Sequence, residues 1–200
     1  MRVDPLWSRE EIEAIREALE HRSEDIRRGY ATEQTAARDR LFFALSVNSG
    51  LRASDLVTLP ADRRKWSGQR YTVKTKKTGK VVQFSVVARV RAALDDYWAA
   101  HPEHPSFLFY PTDRGRPRYQ AHVTTKWALR FFCEWAARAG LEGHYGSHTG
   151  RKTLALHIYE ATGRVEVAQD ALGHSSPGTT LAYIGSIHRR ALEAQANLNL

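Results

Sequence analysis

The sequence predicts a mainly helical domain with a small antiparallel sheet, on three observations. Apolar residues recur at helical spacing through most of the chain. One stretch, from Tyr71 to Ser85, changes to β-branched and aromatic residues around a turn. The length, 200 residues, is enough to bury a real core without disulfides or metals. The single cysteine, Cys133, excludes a disulfide within the chain. Set among Phe131, Phe132 and Trp135, it reads as a small buried hydrophobe.

Each element has its own signal. Ser8 followed by Glu11 resembles a capping box that opens a helix with Ile12, Ile15 and Leu19 on one face. A second helix holds Leu41, Phe42, Leu45 and Val47 and ends near Asn48-Ser49-Gly50. Tyr71-Thr72-Val73 and Val81-Val82-Gln83-Phe84 form a short hairpin about Lys77-Thr78-Gly79-Lys80. Helical pattern returns from Val87 to Ala100, with Val90, Leu94 and Trp98 sharing a face, and again from about His122 to Ala139. Between these, Pro102, Pro105, Pro111 and Pro117 mark a long irregular connection with one short strand at Phe107-Leu108-Phe109. The last third is helical and broken twice by glycine. No repeat, low-complexity tract or shift in composition divides the chain, so residues 1–200 read as one domain.

Charge points to a polyanionic partner. Thirty Lys and Arg against 22 Asp and Glu give a net charge of +8, with a pI near 9.8. Between Asp62 and Asp95 there is no acid, while Arg63, Arg64, Lys65, Arg70, Lys74, Lys76, Lys77, Lys80, Arg89 and Arg91 are basic. A second acid-free stretch holds Arg114, Arg116, Arg118, Lys126 and Arg130. One such stretch is compatible with a plain solvated surface; two favour phosphate contacts, with affinity that falls as salt is added. The first residues have no apolar signal core, and no apolar run approaches the ~20 residues that span a bilayer. A cytoplasmic protein is expected.

Several side chains have the chemistry to handle a phosphodiester. Arg52 follows the expected end of the second helix, with Asp55 three residues on. Its planar fork of donors suits two nonbridging oxygens, and Asp55 is placed either to hold that fork or to cap the next helix. His148 precedes Arg151 by three residues at the start of a helix, which sets both on one face where free N–H groups and the helix dipole favour an anion. His144 and His148 are four apart, but Gly143 and Gly146 oppose a preceding helical turn and the glutamate of a zinc helix is missing, so no metal site is expected. His174 and Tyr183 are separated by the turn-forming Ser175-Ser176-Pro177-Gly178. A phenol, with a reference pKa of about 10, becomes a nucleophile only where positive charge favours the phenolate.

The run Ala171-Leu172-Gly173-His174-Ser175-Ser176-Pro177-Gly178-Thr179-Thr180-Leu181-Ala182-Tyr183-Ile184 resembles the signature of the tyrosine recombinase and phage integrase catalytic domain. Arg52, a hairpin lysine, His148 and Arg151 match the rest of the pattern, and the resemblance runs from about Ser8 to the last residues. It implies the tyrosine recombinase catalytic-domain fold and a transesterification. Tyr183 attacks a DNA phosphodiester, forming a 3′-phosphotyrosyl bond and releasing a 5′-hydroxyl, without ATP, metal or other cofactor. Arg52, Arg151 and His174 act as donors to the nonbridging oxygens, His148 assists, and Asp55 orients its neighbours. The leaving oxygen needs a general acid. Lys77 fits best, directly before Thr78-Gly79, with Lys76, Lys74 and Lys80 open as alternatives because a one-residue slip exchanges faces.

Two features depart from the family. Gly150 stands where leucine is usual, and glycine inside a helix costs up to ~1 kcal/mol. The separate N-terminal DNA-clamping domain has no counterpart among these residues. The expected partner is double-stranded DNA, with self-association on DNA. The amphipathic tail, residues 185–200, docks on a neighbouring subunit or packs on its own domain. A site-specific recombinase is the first reading; a type IB-like topoisomerase and a non-catalytic DNA-binding regulator on the same fold are the alternatives.

Overall fold

The computed structural model describes residues 3–28, 31–113 and 116–174 together with Gly178 and Thr180. Four helices come first: α1 (Arg9–Glu20), α2 (Ser23–Arg27), α3 (Glu33–Ser49) and the short α4 (Ala53–Leu56). A 3-10 turn at Arg63–Trp66 leads into the hairpin β1 (Arg70–Lys74) and β2 (Val81–Ser85). Helix α5 (Ala88–Ala100), a second hairpin of β3 (Thr112–Asp113) and β4 (Arg116–Pro117), and helices α6 (Thr125–Arg138), α7 (Thr149–Thr162) and α8 (Val165–Leu172) complete it. Both hairpins are antiparallel, with Tyr71 opposite Phe84 and Val73 opposite Val82 in the first. The fold class is the one expected.

Helix α3 is the axis of the molecule. Its buried residues, among them Ala36, Leu41, Phe42, Phe43, Leu45 and Val47, lie on every side, as befits a helix enclosed by others. It packs against α1, α5, α7 and β2. Phe42 sits edge-on to Phe109 and Phe131 at centroid distances of 5.0 and 4.7 Å, binding α6 and the 107–110 segment to the axis.

Local rules explain most element ends. Ser8 accepts the amide of Glu11 at 3.2 Å, but the Glu11 carboxylate turns back to the amide of Trp7 at 2.7 Å rather than to Ser8. Helix α3 opens on a Thr32–Thr35 capping box and ends at Gly50, whose φ of +64° suits glycine. Gly163 and Gly173 end α7 and α8. Gly150, the departure from the family pattern, is buried where α7 crosses α3: a Cβ there would lie 2.6 Å from the Ser46 carbonyl oxygen. Close approach of the two backbones therefore accounts for a glycine within a helix.

Two expectations fail, at Phe107–Phe109 and at Cys133, because packing decides which residues are buried. Phe107–Phe109 is not a strand: Pro60 and Phe107 form an isolated bridge, and Leu108, Phe109 and Tyr110 are fully buried. The polar chain around them instead forms β3 and β4. On α5 Val90, Leu94 and Tyr97 are buried, and Trp98 packs half-buried against the same core. Cys133 is exposed, because α6 turns Ala128, Phe131, Phe132, Trp135 and Ala136 inward and leaves position 133 on the far side; its thiol donates to the Tyr145 carbonyl at 3.2 Å.

Candidate active site

The site assembles where the ends of α3 and α8 meet the start of α7. Arg151 lies in the first turn of α7 and is 3% exposed. Its guanidinium donates to the Gly50 carbonyl and, at 2.8 Å, to the Leu172 carbonyl. Those two carbonyls end α3 and α8, and the residues two beyond them are Arg52 and His174. One buried side chain thus draws together three segments that are remote in sequence.

The start of α7 is itself pinned from outside. Leu6 donates its amide to Thr153 Oγ1 at 2.9 Å, Thr149 Oγ1 donates to the Asp4 carbonyl at 2.8 Å, and Lys152 Nζ donates to the Val3 carbonyl at 2.7 Å. The chain preceding α1 therefore acts as a strap across α7. His148, the residue before the helix, is exposed.

Arg52 precedes α4 in extended conformation, half-buried, and its guanidinium makes no hydrogen bond or ion pair among the described residues. Asp55 does not hold it. Asp55 is 2% exposed, and its Oδ1 accepts the backbone amide of Lys76 at 2.8 Å. A carboxylate from α4 thereby grips the turn of the first hairpin. Within that turn Thr75 is buried, its hydroxyl lies 2.8 Å from that of Thr78, and Gly79 donates its amide to the Thr75 carbonyl at 2.9 Å. Lys74, Lys76, Lys77 and Lys80 all carry exposed side chains.

Two imidazoles report the charges around them. The pKa of His174 is held down at about 4, first by burial and then by the Arg151 and Arg52 charges. His148 is lowered as well, by crowding that desolvates its ring despite the exposed position, then by Arg151, Lys152, Arg52 and Lys77. Among the hairpin lysines it is Lys77 whose charge reaches His148. His148 therefore lies within electrostatic reach of Arg52, Lys77 and Arg151, and His174 within reach of Arg52 and Arg151. A groove of about 710 Å³, lined by Lys80 and Gln83 of the hairpin and by Glu166, Gln169 and Asp170 of α8, runs up to His174.

The basic surface divides. Arg63, Arg64 and Lys65 are exposed on the 3-10 turn, with Arg63 over the Trp98 ring and Arg64 paired to Asp62 at 3.0 Å. Arg116, Arg118 and Lys126 are exposed around β4 and the start of α6. Arg89 is drawn to Glu13, and Arg91 to the Trp66 and Gly68 carbonyls. Among the described residues no three His, Cys, Asp or Glu side chains are grouped to hold a metal ion, and no helix is long and apolar enough to cross a membrane. Tyr183, Arg114 and the 185–200 tail lie outside the described residues.

Sequence reading missed the Arg151 bridge and the Asp55 grip, both bonds to backbone, which no side-chain motif announces. It also missed Thr180, whose Oγ1 is 2.9 Å from His174 Nδ1. The threonine stood in the signature itself, but its partner became visible only in three dimensions.

The family model described as the phage integrase family matches residues 8–189. The chain belongs to that family. Among curated integrases and recombinases, it is 29% identical over 185 residues to the probable integrase/recombinase YoeC of Bacillus subtilis, across 92% of this chain and 90% of that one. It is 29% identical over 146 residues to the tyrosine recombinase XerC of Chlamydia pneumoniae, across 73% of this chain but 46% of that relative. The chain thus spans nearly all of one relative and about half of the other. A crystal structure of the XerH site-specific recombinase bound to a palindromic difH substrate shares the integrase fold, with a TM-score of 0.69, 21% identity, and coverage of 98% of this chain and 53% of that one.

Proposed function

We propose that this chain is the catalytic domain of a site-specific DNA recombinase that cleaves and rejoins strands through a 3′-phosphotyrosyl intermediate. The observation that supports this reading is that the charges of Arg52, Lys77 and Arg151 bear on His148, and those of Arg52 and Arg151 on His174. Such a concentration of positive and donor groups suits a phosphodiester whose nonbridging oxygens gain charge in the transition state. Tyr183 is the nucleophile, on the strength of its place nine residues after His174 in the signature.

In the forward step the Tyr183 oxygen bonds to phosphorus and the bond to the 5′-oxygen breaks. Lys77 gives that oxygen a proton, while the phenolic proton leaves by way of His148. Arg52 and Arg151 receive the nonbridging oxygens, and His174 donates from its ring. Religation by a 5′-hydroxyl reverses each transfer, so one phosphodiester is exchanged for another with no net energy input. Lys77 is favoured over Lys74, Lys76 and Lys80 because its charge is the one felt at His148.

Arg63, Arg64, Lys65, Lys74, Lys76, Lys80, Arg114, Arg116, Arg118 and Lys126 would bind the flanking duplex through phosphates, with an affinity that drops steeply between low and physiological salt. The tail beyond residue 185 would dock on a neighbouring subunit in a dimeric or tetrameric synapse, and the protein would work in the cytoplasm. Deleting residues beyond Ser186 should abolish synapsis and spare cleavage; unchanged recombination would remove the docking role.

Incubation with nicked duplexes recovered from a randomised pool by covalent capture should give a denaturant-resistant adduct that Tyr183→Phe abolishes. An adduct that survives in Tyr183→Phe would overturn the assignment. Relaxation of plasmids lacking any attachment sequence would move the reading to a topoisomerase.

A further inference from the structure

His174 is held on two sides by groups the reaction scheme does not use. Its backbone is fixed by Gln169, whose carbonyl accepts the His174 amide at 3.1 Å and whose Nε2 donates to the His174 carbonyl at 3.2 Å. With the backbone set, ring orientation rests on the side chain. There Nδ1 lies 2.9 Å from Thr180 Oγ1, and Thr180 is 0% exposed. Either atom can own the hydrogen, and the two choices have opposite chemical consequences.

A neutral imidazole carries one ring hydrogen, so the nitrogen that holds it donates and the other accepts. His174 is neutral at pH 7, because burial and the Arg151 and Arg52 charges keep its pKa near 4. If Nδ1 held the hydrogen, Nε2 would present a lone pair to an anionic oxygen and repel it. If Thr180 donates to Nδ1, the hydrogen must reside on Nε2, where it can be given to phosphate.

We propose that Thr180 is a positioning residue, whose hydroxyl donates to Nδ1 of His174, sets the plane of the imidazole and keeps the ring hydrogen on Nε2. This rests on the reading of His174 as a phosphate donor. A valine at 180 keeps the shape and removes the hydroxyl; a serine restores it. The bond is buried, so water does not readily replace it.

The decisive measurement is the His174 tautomer, read from two-bond nitrogen–proton correlations in protein labelled with ¹⁵N-histidine at pH 7. The Nε2–H form is expected in the wild type and in Thr180→Ser, and a mixture of forms in Thr180→Val. Single-turnover cleavage of the captured nicked duplexes should slow about tenfold in Thr180→Val and return in Thr180→Ser, with DNA affinity unchanged. An Nδ1–H tautomer in the wild type, or wild-type cleavage by Thr180→Val, overturns the proposal. If Thr180→Val does not fold, the wild-type tautomer decides alone. His174→Ala separates the two ideas: full cleavage there would remove the donor role of His174 while leaving the tautomer result intact.

Discussion

Two buried arginines, Arg38 and Arg151, show how the same side chain is paired to a carboxylate in one place and tied to backbone carbonyls in another. Arg38, 6% exposed on α3, pairs with Asp39 at 2.8 Å and donates to the Tyr110 carbonyl at 2.9 Å. It also lies over the Tyr110 and Trp127 rings, and Arg22 reaches the same Asp39. The charge is neutralised where it sits. Arg151 is as deeply buried and donates to the Gly50 and Leu172 carbonyls, and its charge depresses the His148 and His174 imidazoles. Asp55, the carboxylate nearest to this cluster in sequence, is turned to the Lys76 amide. The first arginine is therefore a strut between α3 and the 107–110 segment, and the second a bridge between two helix ends whose charge bears on two imidazoles.

Removing charges should break that comparison most visibly. Arg52→Ala is expected to slow cleavage ~10²- to 10³-fold while leaving stability within about 0.5 kcal/mol, since its guanidinium bonds to nothing described in the free protein. Arg38→Ala should do the reverse. Even with Arg22 still on Asp39, it is expected to cost about 3 kcal/mol in urea unfolding, with the cleavage rate of the remaining folded protein unchanged. Equal losses of rate and stability in both variants would erase the distinction.

Backbone packing beneath the site comes next in size. Gly150→Ala places a methyl 2.6 Å from the Ser46 carbonyl oxygen, and a cost of about 1–3 kcal/mol is expected despite the better helix propensity of alanine. A rise in melting temperature would show that α7 and α3 can part freely. Asp55→Ala removes the grip on the hairpin turn and should slow cleavage about tenfold. Asp55→Asn, which keeps an acceptor for the Lys76 amide, should fall between the two.

Acid supplies the mildest test. The folded protein holds His174 near 4 while the unfolded chain titrates near 6.5, so between those values the unfolded state binds more protons. Stability from this group is complete above about pH 6.5 and is lost as pH falls toward 4. His148 and His101 are lowered too, with burial the first cause at His101, and act in the same direction. Urea midpoints should decline from pH 7 to pH 4.5; a flat profile would mean that the imidazoles are not held neutral by their surroundings.

Ser8, Thr72–Val73 and Gly50 announce a helix start, a strand and a helix end, because capping, alternation and left-handed φ are properties of a few adjacent residues. Cys133 falls on the far face of α6, since adjacent helical phases differ by one position and only the partners of α6 choose between them. The Phe107–Phe109 run was apolar for burial rather than for pairing.

The sequence by itself determined the helical class, the small hairpin, the basic surface and the list of reactive side chains, since each follows from local pattern or residue chemistry. Tertiary structure alone decided that Arg151 would hang between the Gly50 and Leu172 carbonyls, that Asp55 would hold the Lys76 amide, and that Gly150 would let α7 lie against α3. The first two are contacts between side chains and backbone 21 to 101 residues apart, and the third brings two backbones together. Backbone groups are the same at every position, so only the path of the chain can say which of them a side chain will meet.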